Sequence, residues 1–298
     1  MKIPPYLNPG DTIGLTCTAR SITMDELQPA IAVIEGWGFK VKIGSAIGLV
    51  HDQFGGNDQQ RAESFQHLLD DDTVKAILIC RGGYGTVRIL DLLNFKRFES
   101  QPKWIIGFSD VTILHAHLNE NFKTATLHAS MPSVFNTNTS ESLDSIRQAL
   151  LGETLSYPFS PHPLNRTGTA QTEIIGGNLS LLYSLIGTKH DVDTKGKILF
   201  IEDLDEYLYH IDRMMISLKN AGKLDHLAAL VVGGMTEMND NTIPFGKTAE
   251  EIIFEHTKDY DYPECFNFPA GHISNNKAIV LGKEGKLEIG ADGVQWKQ

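Results

Sequence analysis

The 298-residue chain has only three cysteines, Cys17, Cys80 and Cys265, with no CxxC spacing among them. So sparse and odd a set excludes a disulfide framework and fits a reducing compartment; Cys17 and Cys80, in strand-like runs, read as small buried apolar residues. No uninterrupted apolar stretch approaches the length of a bilayer span. Met1 to Gly10 hold one basic residue and three prolines but neither an apolar core nor a small-residue cleavage site, so the expected location is cytoplasmic. Positive charge is also short: 26 Lys and Arg against 37 Asp and Glu give a net charge of −11. That balance disfavours general binding to nucleic acid or to an anionic membrane.

Two further absences narrow the chemistry. Gly83-x-Gly85-x-x-Arg88 lacks the third small residue of a dinucleotide fingerprint, and no Gly-Lys-Ser/Thr follows, so nothing marks a nucleotide-phosphate loop. Among 11 histidines, His115 and His117 are two apart on an expected helix and face different ways, while His190-Asp191-Val192-Asp193 reads as a turn or a solvated cap. Neither a metal nor a cofactor is expected.

What is present is an ordinary globular composition, 41% hydrophobic and 21% charged, in a chain long enough for one large domain or two of usual size. The first half alternates strands and helices. Thr12–Thr18 is expected as a strand, Thr23-Met24-Asp25-Glu26 as a capping box opening a helix, and 41–43 as a short strand. Asn57-Asp58-Gln59-Gln60 opens a second helix carrying Ala62, Phe65, Leu68 and Leu69, and Val74–Cys80 follows as a strand buried on both faces. A Gly-rich turn leads to a helix over 87–93. Such units build a doubly wound, flavodoxin-like parallel sheet, whose sites lie at the C-terminal strand edges.

Between about Val134 and Gln171 the chain turns proline- and turn-rich with one short helical piece, and 136–171 reads as a linker between an N-terminal domain (1–135) and a smaller mixed α/β C-terminal domain (172–298). In the latter, a helix is expected over 178–186, a strand over 197–202, a helix over 208–221 and a strand over 228–232. Thr248-Ala249-Glu250-Glu251 opens a further helix, and 278–289 reads as a hairpin turning at Lys283-Glu284-Gly285.

Ser109 stands where the apolar run Trp104-Ile105-Ile106 gives way to a helix beginning near Val111. A sharp strand-to-helix turn exposes a serine hydroxyl above a sheet, with the following N–H free for an oxyanion. The same tetrapeptide is equally written by a helix N-cap. Ile198–Ile201 ends in Glu202, Asp203, Asp205 and Glu206, and Phe268-Pro269-Ala270-Gly271-His272 places a histidine in a turn. Serine, carboxylate and histidine in that order are compatible with a triad, but also with a solvated acidic helix entrance and a loop histidine.

Taken together, Arg81-Gly82-Gly83-Tyr84-Gly85, Gly107-Phe108-Ser109-Asp110, Gly176-Gly177-Asn178-Leu179, Ile201-Glu202-Asp203 with Glu206, and Gly271-His272 with Asn276 resemble the motif set of the LD-carboxypeptidase family, in order from about Gly10 to the end of the chain. These are serine peptidases of the muramoyltetrapeptide carboxypeptidase type, together with the microcin C immunity peptidases. The resemblance implies that Ser109 is the nucleophile, His272 the general base and Glu202 the acid that orients it. It further implies an oxyanion hole from the backbone N–H groups of Asp110 and Gly83. Phe108, where the family also has tyrosine or histidine, is expected to carry no role. Arg81 and Gly82 are candidates for the substrate, Arg81 either for a terminal carboxylate or for a structural ion pair. Glu206 is a candidate for a cationic substrate amine or a partner of Arg213. The implied substrate is murein tetrapeptide, shortened by its terminal D-alanine in cell-wall recycling, and the implied assembly is a homodimer. The alternative is an immunity-type peptidase acting on nucleotide-linked peptides. That branch tends to carry an aromatic base-stacking loop, whereas Trp37, Trp104 and Trp296 all lie outside the middle segment. A non-enzymatic sugar- or peptide-binding protein is the third class, and intact Ser109, Glu202 and His272 argue against it.

Overall fold

The computed structural model describes residues 1–298. The first five strands are β1 (Thr12–Thr16), β2 (Lys40–Ile43), β3 (Val74–Ile79), β4 (Trp104–Gly107) and β5 (Thr126–His128). They pair in parallel in the order β2-β1-β3-β4-β5, the flavodoxin-like order of a doubly wound sheet. Every residue of β4 and five of the six in β3 are buried, as a sheet covered on both faces requires. The helices Met24–Gly36 and Asp58–Asp70 begin at the two expected capping boxes. Thr23 Oγ1 accepts the Glu26 N–H (3.2 Å) while Glu26 Oε2 accepts the Thr23 N–H (2.8 Å). Asn57 and Gln60 make the same exchange, which satisfies N–H groups the helix itself leaves unpaired. The helix expected over 87–93 is shorter: one turn, Thr86–Ile89, continued by a 3-10 turn, Leu90–Leu92.

The remaining strands are β6 (Ser156–Phe159), β7 (Gly168–Asn178), β8 (Ile198–Leu204), β9 (Ala229–Thr236), β10 (Glu264–Cys265), β11 (Ile279–Leu281), β12 (Glu284–Ile289) and β13 (Val294–Lys297). Seven of them form a mixed sheet in the order β10-β9-β8-β7-β12-β13-β6, parallel from β7 to β10 and antiparallel beyond. The helix Leu208–Asn220 buries Ile211, Met214, Met215 and Leu218, as their spacing predicts.

Two expectations change. β11 and β12 do not form a hairpin with each other: β11 pairs antiparallel with β5 and closes the edge of the first sheet, whereas β12 pairs with β7 and β13. The burial pattern explains it, because β11 is buried at every position while β12 alternates. A short strand apolar on both faces belongs inside, and covering a sheet edge is a good use of it. The hairpin turn falls instead at Gly290–Gly293, where the Gly290 N–H donates to the Gly293 carbonyl (2.9 Å). The stretch 136–171, read as a linker, holds the helix Ser140–Leu151, all of β6 and the start of β7. Its prolines mislead because β6 is the edge strand of its sheet, where Pro158 removes no ladder hydrogen bond.

The two sheets are fused rather than tethered. One buried cluster contains Leu127 of β5, Ile279 and Leu281 of β11, Ile174 of β7 and Phe200 of β8. Gly176, on β7, has φ +132°, and a Cβ there would overlap the Phe200 carbonyl group of β8. Gly187 has φ +75° but open space around its missing side chain. Gly187→Ala therefore carries backbone strain alone, about 1 kcal/mol, and Gly176→Ala adds a clash in a packed interior, about 3 kcal/mol or more in total. Urea unfolding should show a much lower midpoint for Gly176→Ala than for Gly187→Ala; equal midpoints would contradict the close approach of β7 to β8.

Candidate active site

Ser109 follows β4 through a turn that only particular residues can make. Gly107 has φ +157°, and a Cβ there would meet Val111 Cγ2 at 2.7 Å. Phe108 is extended, and Ser109 then takes φ +60° as the first residue of the 3-10 turn Ser109–Val111 that leads into the helix Thr112–Phe122. For a residue with a side chain this left-handed conformation costs roughly 1–3 kcal/mol, and such strain concentrates at functional sites. Neither the 3-10 turn nor the helix is capped by a side chain. Ser109 is therefore not an N-cap; its geometry is that of a strained turn presenting a hydroxyl at the C-terminal edge of a sheet.

The loop after β3 faces it. A Cβ on Gly82 would lie 3.3 Å from Ser109 Oγ and 3.0 Å from Met131 Cε, and Gly83 has φ +106°. The N–H groups of Gly82, Gly83 and Tyr84 donate to no acceptor within the protein. The far end of this loop is clamped. The buried Asp110 carboxylate, raised in pKa by its burial, accepts the Thr86 N–H at 2.8 Å. Arg61, wholly buried on the helix Asp58–Asp70, donates to the carbonyls of Thr18, Gly85 and Gly56 and pairs with Asp58. The Thr18 and Thr86 hydroxyls share a hydrogen bond of 2.7 Å. Two chain ends at the top of the sheet, after β1 and after β3, are thus tied through one guanidinium.

Glu202, near the end of β8, is completely buried, and its Oε2 accepts the His272 Nδ1–H at 2.6 Å. Gly271, with φ +108°, lies over that carboxylate so closely that a Cβ would be 2.8 Å from Glu202 Cβ and Oε2. The Gly271 N–H donates to Asn276 Oδ1 (2.8 Å) and Thr236 Oγ1–H to the His272 carbonyl (3.1 Å), which fix the turn that carries the imidazole. The His272 ring packs on the Phe108 ring with centroids 4.6 Å apart. Phe108, expected to carry no role, is the surface on which the imidazole rests beside Ser109. Burial works against protonation of His272, but the Glu202 carboxylate, with Asp203 and Glu237, raises its pKa above the ordinary 6.5.

The Gly-Gly-Asn motif joins the two halves at this point. The Asn178 N–H donates to Thr112 Oγ1 (3.0 Å), at the start of the helix behind Ser109, and a Cβ on Gly177 would reach that same oxygen at 2.5 Å. Asn178 Nδ2–H also donates to Asp203 (2.8 Å), which accepts the Ser180 and Leu204 N–H groups as well. Burial, and then Glu202 beside it, push Asp203 up to about 7.

Comparison with known proteins gives this arrangement a family. Models of the LD-carboxypeptidase N-terminal and C-terminal domains match residues 13–129 and 171–287. A probable murein peptide carboxypeptidase of Bacillus subtilis is 34% identical over 95% of this chain and 91% of its own. The chain belongs to the LD-carboxypeptidase family. It is accordingly a peptidase. The murein tetrapeptide carboxypeptidase of Pseudomonas aeruginosa is 25% identical over 93% of this chain and 92% of its own. Among solved structures, the muramoyltetrapeptide carboxypeptidase from Oxalobacter formigenes superposes with a TM-score of 0.87 at 24% identity, covering 96% of this chain and 98% of that one. The microcin C7 self immunity protein, in complex with aspartyl sulfamoyl adenosine, does so with a TM-score of 0.88 at 19% identity, covering 99% and 98%. These two likenesses concern the fold.

In this LD-carboxypeptidase family member, other candidate residues have definite partners. Arg81 Nη1 donates to the Ser21 carbonyl (3.2 Å) and lies 3.5 Å from Glu26. Glu206 accepts from His210 Nδ1 at 2.6 Å, whereas Arg213 lies over the Tyr209 ring, so of its two candidate roles the pair with Arg213 is not formed. His115 bonds to the Gly107 carbonyl and His117 meets His190 at 2.8 Å, on different sides of their helix as expected. Cys17 and Cys80 are buried, with the Cys17 thiol pushed up to about 12 by burial, so they are apolar packing. A cavity of about 540 Å³ adjoins the glycine loop and is lined by Tyr84, Val87, Ser180 and Leu181 among others. Sequence reasoning missed Arg61 and Thr112. Arg61 had a visible signal: it shares a helix face with Phe65 and Leu68, where a charge needs a buried partner.

If Glu202 is what keeps His272 basic, ring NMR should show His272 titrating above 6.5 in the native protein and at a clearly lower pH in Glu202→Gln, where only Asp203 and Glu237 are left to oppose burial. An unchanged midpoint would show that the ion pair does not govern the imidazole.

Proposed function

We propose that this peptidase is a serine carboxypeptidase with a Ser109-Glu202-His272 triad, releasing the terminal D-alanine of murein tetrapeptide in the cytoplasm during cell-wall recycling. The observation that carries the reading is the strained Ser109 turn, with Gly82 against its hydroxyl and the Glu202–His272 pair resting on the adjacent Phe108. The substrate is supported by what the relatives from Bacillus subtilis and Pseudomonas aeruginosa are named for.

In this mechanism His272 Nε2 takes the proton from Ser109 Oγ as the oxygen attacks the scissile carbonyl. Glu202, accepting at Nδ1, fixes the tautomer that leaves Nε2 free and stabilises the imidazolium that forms. The oxyanion is received by the N–H groups of Asp110 and Gly83, donors whose positions are set beforehand by Asp110–Thr86 and Arg61–Gly85. Collapse expels the amine of D-alanine with the proton from His272. Water, deprotonated by the same imidazole, then hydrolyses the acyl-enzyme. The reading of nucleotide-linked peptides gains no support from an indole at the site, since Trp104 and Trp296 are wholly buried.

The test is D-alanine release from L-Ala-γ-D-Glu-meso-diaminopimelate-D-Ala. The expected outcome is release that Ser109→Ala reduces about 10⁴-fold or more, with no release from the DD-pentapeptide. A folded native protein that leaves the tetrapeptide intact would remove the murein assignment.

A further inference from the structure

A carboxypeptidase must recognise the free carboxylate at the end of its substrate, and the glycine loop is ringed by four arginines from which to choose. Three already have partners in the protein. Arg61 is buried against Asp58 and three carbonyls, Arg88 holds the same Asp58 through Nε (3.0 Å) and Nη2 (2.7 Å), and Arg81 is engaged by Glu26 and the Ser21 carbonyl. Arg20 is different. Its backbone N–H donates to the Gly82 carbonyl (3.3 Å), and its side chain runs across Gly83, where a Cβ would lie 2.6 Å from Arg20 Cδ and 2.7 Å from Nε. Its exposed guanidinium enters no ion pair and meets no acceptor in the protein. In a chain with eleven more acidic than basic side chains, an arginine held against the backbone beside the nucleophile yet left without an anion is a site for one.

We propose that Arg20 is the anchor for the α-carboxylate of the residue that leaves, so that it defines the enzyme as one that removes a single C-terminal residue. The inference rests on the carboxypeptidase reading above and adds the group that selects the substrate's end. The spacing fits. Gly82 lies against Ser109 Oγ and Arg20 crosses the next residue, Gly83, about 3.8 Å further along the chain. The terminal carboxylate of the substrate likewise lies one residue beyond the scissile carbonyl. A guanidinium presents two parallel N–H donors to a carboxylate, a match that lysine lacks. Gly83 then has a second reason to be glycine: besides its φ of +106°, any side chain would push the Arg20 arm off the loop. Arg81, the candidate named from the sequence, is instead turned toward the Ser21 carbonyl and Glu26, both through Nη1.

The experiment compares the tetrapeptide with a free C-terminal D-alanine against the same peptide ending in D-alaninamide, on the native enzyme, Arg20→Met, Arg20→Lys and Arg81→Met, each checked for an unchanged unfolding midpoint. The native enzyme should prefer the acid by about 10²-fold in kcat/KM, the size expected of a charge-assisted bidentate contact. Arg20→Met should lose that factor on the acid and change little on the amide, Arg20→Lys should fall between, and Arg81→Met should keep the preference. Equal losses on both peptides in Arg20→Met, or a preference that disappears in Arg81→Met, would overturn the proposal. If the native enzyme cleaves neither peptide, the assigned reaction fails, and calorimetric binding of both to Ser109→Ala and Ser109→Ala/Arg20→Met decides the anchor separately. An acid preference that vanishes with Arg20 keeps it; no preference, or no binding, overturns it.

Discussion

The hydrogen bond between Glu202 and His272 is the constraint on which the rest of the site depends. A carboxylate with no solvent exposure is costly to bury, and it is tolerable only where a cationic or donating partner is held against it. That partner is delivered by a turn, and a turn is mobile unless something fixes it. Here Gly271 removes the side chain that would strike Glu202, Asn276 ties the Gly271 N–H, and Thr236 holds the carbonyl of His272. The imidazole so held packs on the Phe108 ring. Phe108 and His272 are therefore one packing unit, although they stand 164 positions apart in the chain.

That unit needs two sheets in fixed register. β11 leaves the C-terminal half to pair with β5, so the edge of the first sheet is built by the second half of the chain. Gly177 and Asn178, at the end of β7, seat directly on Thr112 at the root of the helix that follows Ser109. A hinge between independent halves would have to break both contacts and the shared buried cluster. The site is accordingly preorganised at its centre, and the strain at Ser109 is sustained by the packing on both sides of it.

Much of this was legible from residue order, and the exceptions share a cause. Capping boxes at Thr23, Asn57 and Thr248 are local hydrogen-bond chemistry, and each opens a helix as read. The apolar runs of β3, β4 and β8 are local too. What failed were readings that depend on partners distant in sequence. The run 279–281 looked like one arm of a hairpin because its neighbour in sequence is a strand, yet its burial on both faces is satisfied only by β5. Pro158 signalled a linker because its consequence depends on whether β6 is an edge or a centre strand, which no local pattern states. For Arg81 the sequence named an ion pair as one of two roles but not its partner, Glu26, which lies 55 residues earlier.

Asp203 illustrates how the same rule separates function from support. It adjoins Glu202, is nearly as buried, and is held near 7 by burial and by that neighbour, which are the marks of a proton carrier. Its hydrogen bonds argue otherwise. One oxygen accepts from Asn178 Nδ2 and the Leu204 N–H, the other from the Ser180 N–H, so three donors converge on it and the charged form is the one they serve. Through Asn178, whose own N–H reaches Thr112, the carboxylate links the end of β8 to the start of the helix that follows Ser109. Its negative charge also adds to that of Glu202 in keeping His272 basic. Asp203 thus acts by holding Asn178 and by its field at the His272 imidazole.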